Sequence, residues 1–185
     1  YHDKPRETAD ALHVLGRNLW QRTLRRGCPP DKLHMLIPPA IDVNFFNINQ
    51  SERSLVLIDS DRPLRILSVG RLEWVKGYEY SLRAAQLLSE RGVPFEYRII
   101  GDGAYLEPLA FARHEMGLEA SVRFLGSCSH PDVLEQMEWA DVFLHASVSE
   151  GFCNAVLEAQ AMCLPVVASN ADGLTENIAD GHTGF

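Results

Sequence analysis

The apolar and polar positions of this chain fall into two regimes. From residue 64 onward, short apolar runs alternate with stretches of helical period. Residues 64–69, 95–100, 122–125, 141–145 and 165–168 predict strands, because each is a largely apolar run bounded by turn residues. Residues 78–91 predict a helix with Leu82, Ala85, Leu87 and Leu88 on its apolar side, closed by Gly92 and Pro94. Residues 106–116, 131–139 and 154–162 predict further helices, and residues 174–179 a last short one. Strands and helices joined by short loops in this order predict an α/β fold. The expected form is a Rossmann-like doubly wound parallel sheet with helices on both faces.

Before residue 64 the pattern is less regular. Residues 17–26 predict a helix from the spacing of Leu19, Trp20, Thr23 and Leu24, stopped by Gly27 and Pro29-Pro30. Residues 11–15 fit either a short strand or the first turn of a helix. Residues 33–37 predict a short strand, and Pro38-Pro39 stiffens its exit. Residues 47–62 are polar around an apolar patch at 55–58 and end in Arg62-Pro63, which suggests a linker.

Composition narrows the function classes. Hydrophobic residues make up 46% of the 185, enough for a buried core. A net charge of −8 argues against a protein built for nucleic acid or anionic membrane. Cys28, Cys128, Cys153 and Cys163 show neither paired nor metal-ligand spacing and read as reduced thiols of a cytosolic protein. The seven histidines include no pair at metal-site spacing. No apolar run approaches membrane-spanning length. The chain starts at Tyr1 and stops just after a turn at Phe185, so both ends are expected to be cut.

Open parallel sheets bind ligands beyond the carboxyl ends of their strands. The loops there carry the chemistry. Gly70 to Gly77 brings Arg71 and Lys76 to the mouth, two cations suited to a diphosphate leaving group. Gly101-Asp102-Gly103 suits a close-approach turn, although such turns are common. Gly126 to His130 holds the small residues Ser127 and Cys128, with room for a flat base; a plain loop feeding a helix cap explains it equally well. Glu150 to Glu158 reads as a strand-to-helix turn. There Gly151 permits close approach, Asn154 suits an N-cap, and the following amides face an anion. Glu150 and Glu158 suit hydroxyl groups, as on sugars; as plain residues they would be a dipole-complementing acid and a solvated helix position. Asp59-Ser60-Asp61 has a metal-binding form but lies in the linker. His130 and His145 suit a catalytic base and equally suit capping or packing.

Taken together these loops resemble a known family. Gly70-Arg71 with Lys76-Gly77, Gly101-Asp102-Gly103, Phe124-Leu125-Gly126, Ser149-Glu150-Gly151-Phe152 with Glu158, Leu164 to Ala168 and Gly173-Leu174-Thr175-Glu176 stand in the order found in retaining glycosyltransferases of GT-B fold, the nucleotide-sugar enzymes often called family 4. The resemblance covers residues 65–185. Cys153 stands where glycine or serine is commoner, His145 where proline is common, and Thr175 replaces a usual proline.

The resemblance implies a division of roles. Arg71 and Lys76 match the pair on the donor diphosphate, and Glu150 the acid near the donor sugar; these three form the expected catalytic set. Donor binding is expected at Gly70, Gly101, Gly103, Ser127, Cys128, Gly151, Phe152, Cys153, Asn154 and Glu158, with Glu158 on the ribose. No metal or other cofactor is expected in the site. A GT-B enzyme has two doubly wound domains. Residues 1–37 then match the tail of the N-terminal acceptor domain, residues 38–63 the crossover and linker, and residues 64–185 a C-terminally truncated donor domain. The implied function is retaining sugar transfer from a nucleotide sugar to a glycan, lipid or other acceptor, in the cytoplasm, with polysaccharide assembly a common setting. Any membrane contact would lie on the missing domain. The alternatives are a non-catalytic nucleotide-binding module of the same fold, or another GT-B enzyme such as a sugar epimerase.

Overall fold

The structure is a computed structural model that describes residues 9–35, 41–48 and 62–185. The Pro38-Pro39 pair, the apolar patch of the linker and Asp59 to Asp61 lie outside the described residues. Chain order begins with β1 (Leu12–Val14), α1 (Arg17–Arg25) and β2 (Leu33–Met35). β1 and β2 pair in parallel, which selects the strand alternative for the first apolar run. Leu19, Trp20 and Leu24 of α1 pack on Val14, Cys28 and Leu33.

The main unit follows as β3 (Leu64–Val69), α2 (Tyr78–Glu90), β4 (Phe95–Ile100), α3 (Leu106–Glu115), β5 (Val122–Gly126), α4 (His130–Trp139), β6 (Val142–His145), α5 (Asn154–Ala161), β7 (Val166–Ala168) and α6 (Leu174–Asn177). The five strands are all parallel, in the order β5-β4-β3-β6-β7. The chain works outward from β3 to β5, then returns to the other side of β3 with β6. The topological switch point therefore lies between β3 and β6.

Alternation along the strands builds two cores. Ile66, Tyr97, Ile99 and Val122 join Leu82 of α2 and Leu109 of α3 on one face. Leu67, Ile100, Phe143 and Val166 join Met137 of α4, Val156 of α5 and Leu174 of α6 on the other. Successive residues such as Ile99 and Ile100 thus face opposite cores, as the pleat requires. Both faces are covered, which explains why the strands read as continuous apolar runs.

Neighbouring loops at the carboxyl ends of the strands touch through their backbones. Gly101 has φ +140°, and a Cβ there would lie 1.9 Å from the carbonyl oxygen of Gly70. Gly103 also sits close to the backbone of Leu72, where a Cβ would meet its carbonyl oxygen at 2.4 Å. The Gly-Asp-Gly turn therefore locks the loop after β4 against the loop after β3. Its close approach is to protein backbone.

Candidate functional site

β3 and β6 lie side by side and bring their following loops together at the switch point. The loop after β3 ends in a 3-10 turn, Trp74–Lys76, followed by Gly77 in the left-handed region. A Cβ on Gly77 would meet the carbonyl oxygen of Ala146 at 2.1 Å, so the glycine lets Lys76 reach the loop after β6. Lys76 Nζ donates to both carboxylate oxygens of Glu150, each at 2.8 Å. The two side chains are 14% and 10% exposed, so the pair is largely shielded from water.

His145, at the end of β6, completes a cluster with this pair. Its Nε2 lies 3.0 Å from Ser147 Oγ, 3.4 Å from Cys153 Sγ and 3.7 Å from Glu150 Oε2. Burial by itself would lower the His145 pKa, but hydrogen bonds to Cys153 and Glu150 outweigh it and carry the value up to about 9. For Glu150, burial pulls upward, and His145 and Lys76 together hold the carboxyl down at about 2. The site therefore carries a fixed carboxylate beneath two cations.

The remaining expected residues are placed less uniformly. Arg71 does not join the cluster: its side chain is 76% exposed and pairs with Glu73 at 2.9 Å. Gly70 accepts a hydrogen bond from Tyr78 Oη at its carbonyl, 2.9 Å away. Ser127 is exposed, and Cys128, beside it, has its pKa raised by partial burial. Gly151 faces α1, where a Cβ would lie 3.1 Å from Leu19 Cδ1. Phe152 is half-buried.

Asn154 is not the N-cap of α5; it is the first helical residue. Cys153 holds the cap position without a side-chain cap bond, and its backbone N–H donates instead to Asn177 Oδ1 at 3.1 Å. A buried asparagine from α6, Asn177, grips Cys153 at both its backbone N–H and its carbonyl, which holds that residue extended in the cap position and leaves Asn154 to start the helix.

Glu158, one turn further along α5, lines an open hollow of about 380 Å³ with Ile41, Asp42, Phe45, Phe46, His130 and Asn154. Burial raises its pKa, with His130 pulling weakly the other way. Phe45 and Phe46 come from residues 41–48, so this segment forms a wall of the hollow.

Sequence reasoning missed four contributors. Ser147 and Asn177 are small polar residues with no motif. Asp172 and Glu176 stand on either side of Gly173, in or beside a stretch that the sequence marks only as part of the family resemblance, and they hold α1. Glu176 Oε2 and Oε1 accept from the backbone N–H groups of Arg17 and Asn18, each at 2.8 Å. Asp172 pairs with Arg22 at 3.2 Å and accepts from Ser149 Oγ at 2.9 Å. Acids near a helix start were visible in the sequence; that the helix was α1 was not.

A doubly wound parallel sheet with a cation–carboxylate cluster at its switch point is a Rossmann-like domain of the kind that makes one half of a GT-B enzyme. The model of the family described as glycosyl transferases group 1 matches residues 52–185, and the chain belongs to that family. It is 35% identical to the amylovoran biosynthesis glycosyltransferase AmsK of Erwinia amylovora, over 90% of this chain and 41% of that protein. It is 31% identical to the putative colanic acid biosynthesis glycosyltransferase WcaL of Escherichia coli, over 91% and 41%. The chain thus spans about two-fifths of the length of these curated relatives.

Solved structures agree on the fold. The Anabaena Alr3699/HepE complex with UDP and glucose superposes with a TM-score of 0.80 at 21% identity, over 98% of this chain and 50% of that one. Sucrose-phosphate synthase from Thermosynechococcus elongatus gives 0.79 at 24%, over 97% and 45%. Among the described residues no helix is long and apolar enough to cross a membrane.

Proposed function

We propose that this chain is the donor-binding part of a retaining glycosyltransferase that moves a sugar from a nucleotide sugar to a glycan or lipid. The observation that carries this reading is the Lys76–Glu150 pair at the switch point, 2.8 Å apart and almost out of water. Glycosyl transfer develops charge on a departing diphosphate. A buried lysine beside the sugar position stabilises that charge without a metal. Arg71 is exposed enough to exchange Glu73 for a phosphate and supply the second cation.

In this reading Glu150 accepts from sugar hydroxyls while Lys76 turns to the diphosphate. Glu158 accepts the ribose hydroxyls from the hollow it lines. Gly151 to Asn154 offer amides at the start of α5, where the helix dipole favours an anion. Ser127 and Cys128 lie on the base side, and the loops of Gly70, Gly101 and Gly103 form the floor. Residues 1–37 belong to the acceptor domain and residues 38–63 cross between the domains. An epimerase working at the Lys76–Glu150 pair would need a histidine there that is free to move a proton. His145 is 4% exposed and its Nε2 already faces Ser147 and Cys153.

The test is a calorimetric titration of the chain with UDP, GDP and ADP, beside Lys76→Ala and Glu158→Ala. Saturable binding of one nucleotide, weakened at least about tenfold by both changes, is the expected result. Binding that survives both changes overturns the donor assignment.

A further inference from the structure

Cys153 and His145 bracket the loop between β6 and α5. The fold puts them in contact with each other and with Glu150. His145 Nε2, Cys153 Sγ and a carboxylate oxygen of Glu150 all lie within 4.8 Å of one another. Two separations are resolved individually, 3.4 Å from Nε2 to Sγ and 3.7 Å from Nε2 to Oε2. A tetrahedral zinc ion with bonds of about 2.0–2.3 Å sets its ligands about 3.3–3.8 Å apart. The two edges that meet at His145 Nε2 therefore already have zinc-site lengths, and the third, between Cys153 and Glu150, is under 4.8 Å. One nitrogen, one sulfur and one carboxylate is also a donor set suited to a borderline-soft divalent ion.

We propose that His145, Cys153 and Glu150 form a zinc-binding site, and that zinc occupying it competes with Lys76 for Glu150. The scaffold is rigid where it needs to be. His145 is anchored at the end of β6, and Cys153 is held by the bond from its backbone N–H to Asn177. His145 and Cys153 are each 4% exposed, so the pair is shielded. Glu150 is the more exposed corner and marks the way in. The Lys76 ammonium already occupies both of its oxygens, so a bound ion must displace it. Zinc is thus an antagonist of the Lys76–Glu150 pair, and any loss of sugar-nucleotide binding it causes rests on the donor-site reading. The metal site itself stands or falls separately.

The chain is titrated with Co²⁺, whose thiolate charge-transfer absorption reports a bound cysteine directly. Zn²⁺ is then titrated in competition with a chromogenic chelator. The native chain should give a thiolate band that saturates at one equivalent. Cys153→Ser should remove the band, and His145→Gln should weaken metal binding at least about tenfold, no less than the loss of an outer-shell partner costs. Cys163→Ser, at a free cysteine outside the cluster, should leave the band and the metal affinity unchanged. Lys76→Met should tighten binding about tenfold, the effect of removing a partly screened like charge. Circular dichroism confirms that each variant is folded. No thiolate band in the folded native chain overturns the site, as does a band that survives Cys153→Ser. Weaker binding in Lys76→Met overturns the competition.

Discussion

Lys76 and Glu150 meet across 74 positions of sequence, with the ammonium 2.8 Å from each carboxylate oxygen. The contact ties the loop after β3 to the loop after β6, so it is structural as well as chemical. Removing Lys76 leaves the shielded Glu150 with His145, 3.7 Å away, as its remaining cationic neighbour. Lys76→Ala should cost about 3 kcal/mol of folding stability, the scale found when a buried pair loses one member. Lys76→Ala with Glu150→Ala together should cost less than the sum of the two single changes. Urea melts of the four proteins measure this, and additive costs would show that the pair is uncoupled.

Glu176 offers a second long-range contact, capping α1 through Arg17 and Asn18. Helix α1 has no side-chain cap of its own; its N-cap residue is Gly16. A Cβ on Gly16 would come within 2.8 Å of Glu176 Oε1. The glycine therefore makes room for the borrowed carboxylate. Glu176→Ala should cost about 1 kcal/mol, the usual value of a lost cap, and should speed amide exchange at Arg17 and Asn18 before the sheet is affected. Unchanged exchange at those two amides would remove the cap from the account.

Much of this architecture was legible because buried parallel strands advertise themselves. The apolar runs at β3, β4 and β5 are flanked by glycines and prolines, and their order forces the parallel sheet. The Lys76 and Glu150 loops were also legible, since each stands directly after a strand. What was not legible depends on convergence. His145, Ser147 and Cys153 meet around one nitrogen only because β6 and the start of α5 converge. The capping role expected of Asn154 fails for a related reason: Asn177, distant in sequence, holds Cys153 in the cap position through its backbone N–H and carbonyl. Pattern within one element cannot reveal a partner from another.

Cys163 sits just past α5 with φ +54°, the one described non-glycine residue in the left-handed region. Its backbone N–H bonds to the carbonyl of Gln160, as at a helix end that closes through a left-handed residue. Such a position favours glycine, and an L side chain there costs about 1–2 kcal/mol. Part of that is offset because glycine also frees the unfolded chain. Cys163→Gly should therefore raise stability by up to about 1 kcal/mol. Thermal melts in the presence of reductant measure it, and a lower midpoint would mean that the thiol makes a compensating contact.

Glu158 is the residue at which stability and binding should oppose each other. Burial holds its carboxyl above the ordinary value of 4.5, with His130 pulling weakly downward. The folded chain then binds this proton more tightly than the unfolded chain. The resulting stability is fully present below the ordinary value and is lost as pH rises through the higher folded value. At neutral pH the ionised Glu158 is thus a burden on the fold. Glu158→Gln should remove that pH dependence and leave the variant more stable than the parent at about pH 7, while the two converge near about pH 4. A glutamine amide is a weaker partner than a carboxylate for ribose hydroxyls, so the same variant should bind nucleotide less tightly. Denaturant midpoints at both pH values, with nucleotide titrations beside them, decide the matter. A variant that gains stability and loses binding marks a carboxylate kept for a ligand. One that loses neither shows that the hollow beside Glu158 is not where the ribose sits.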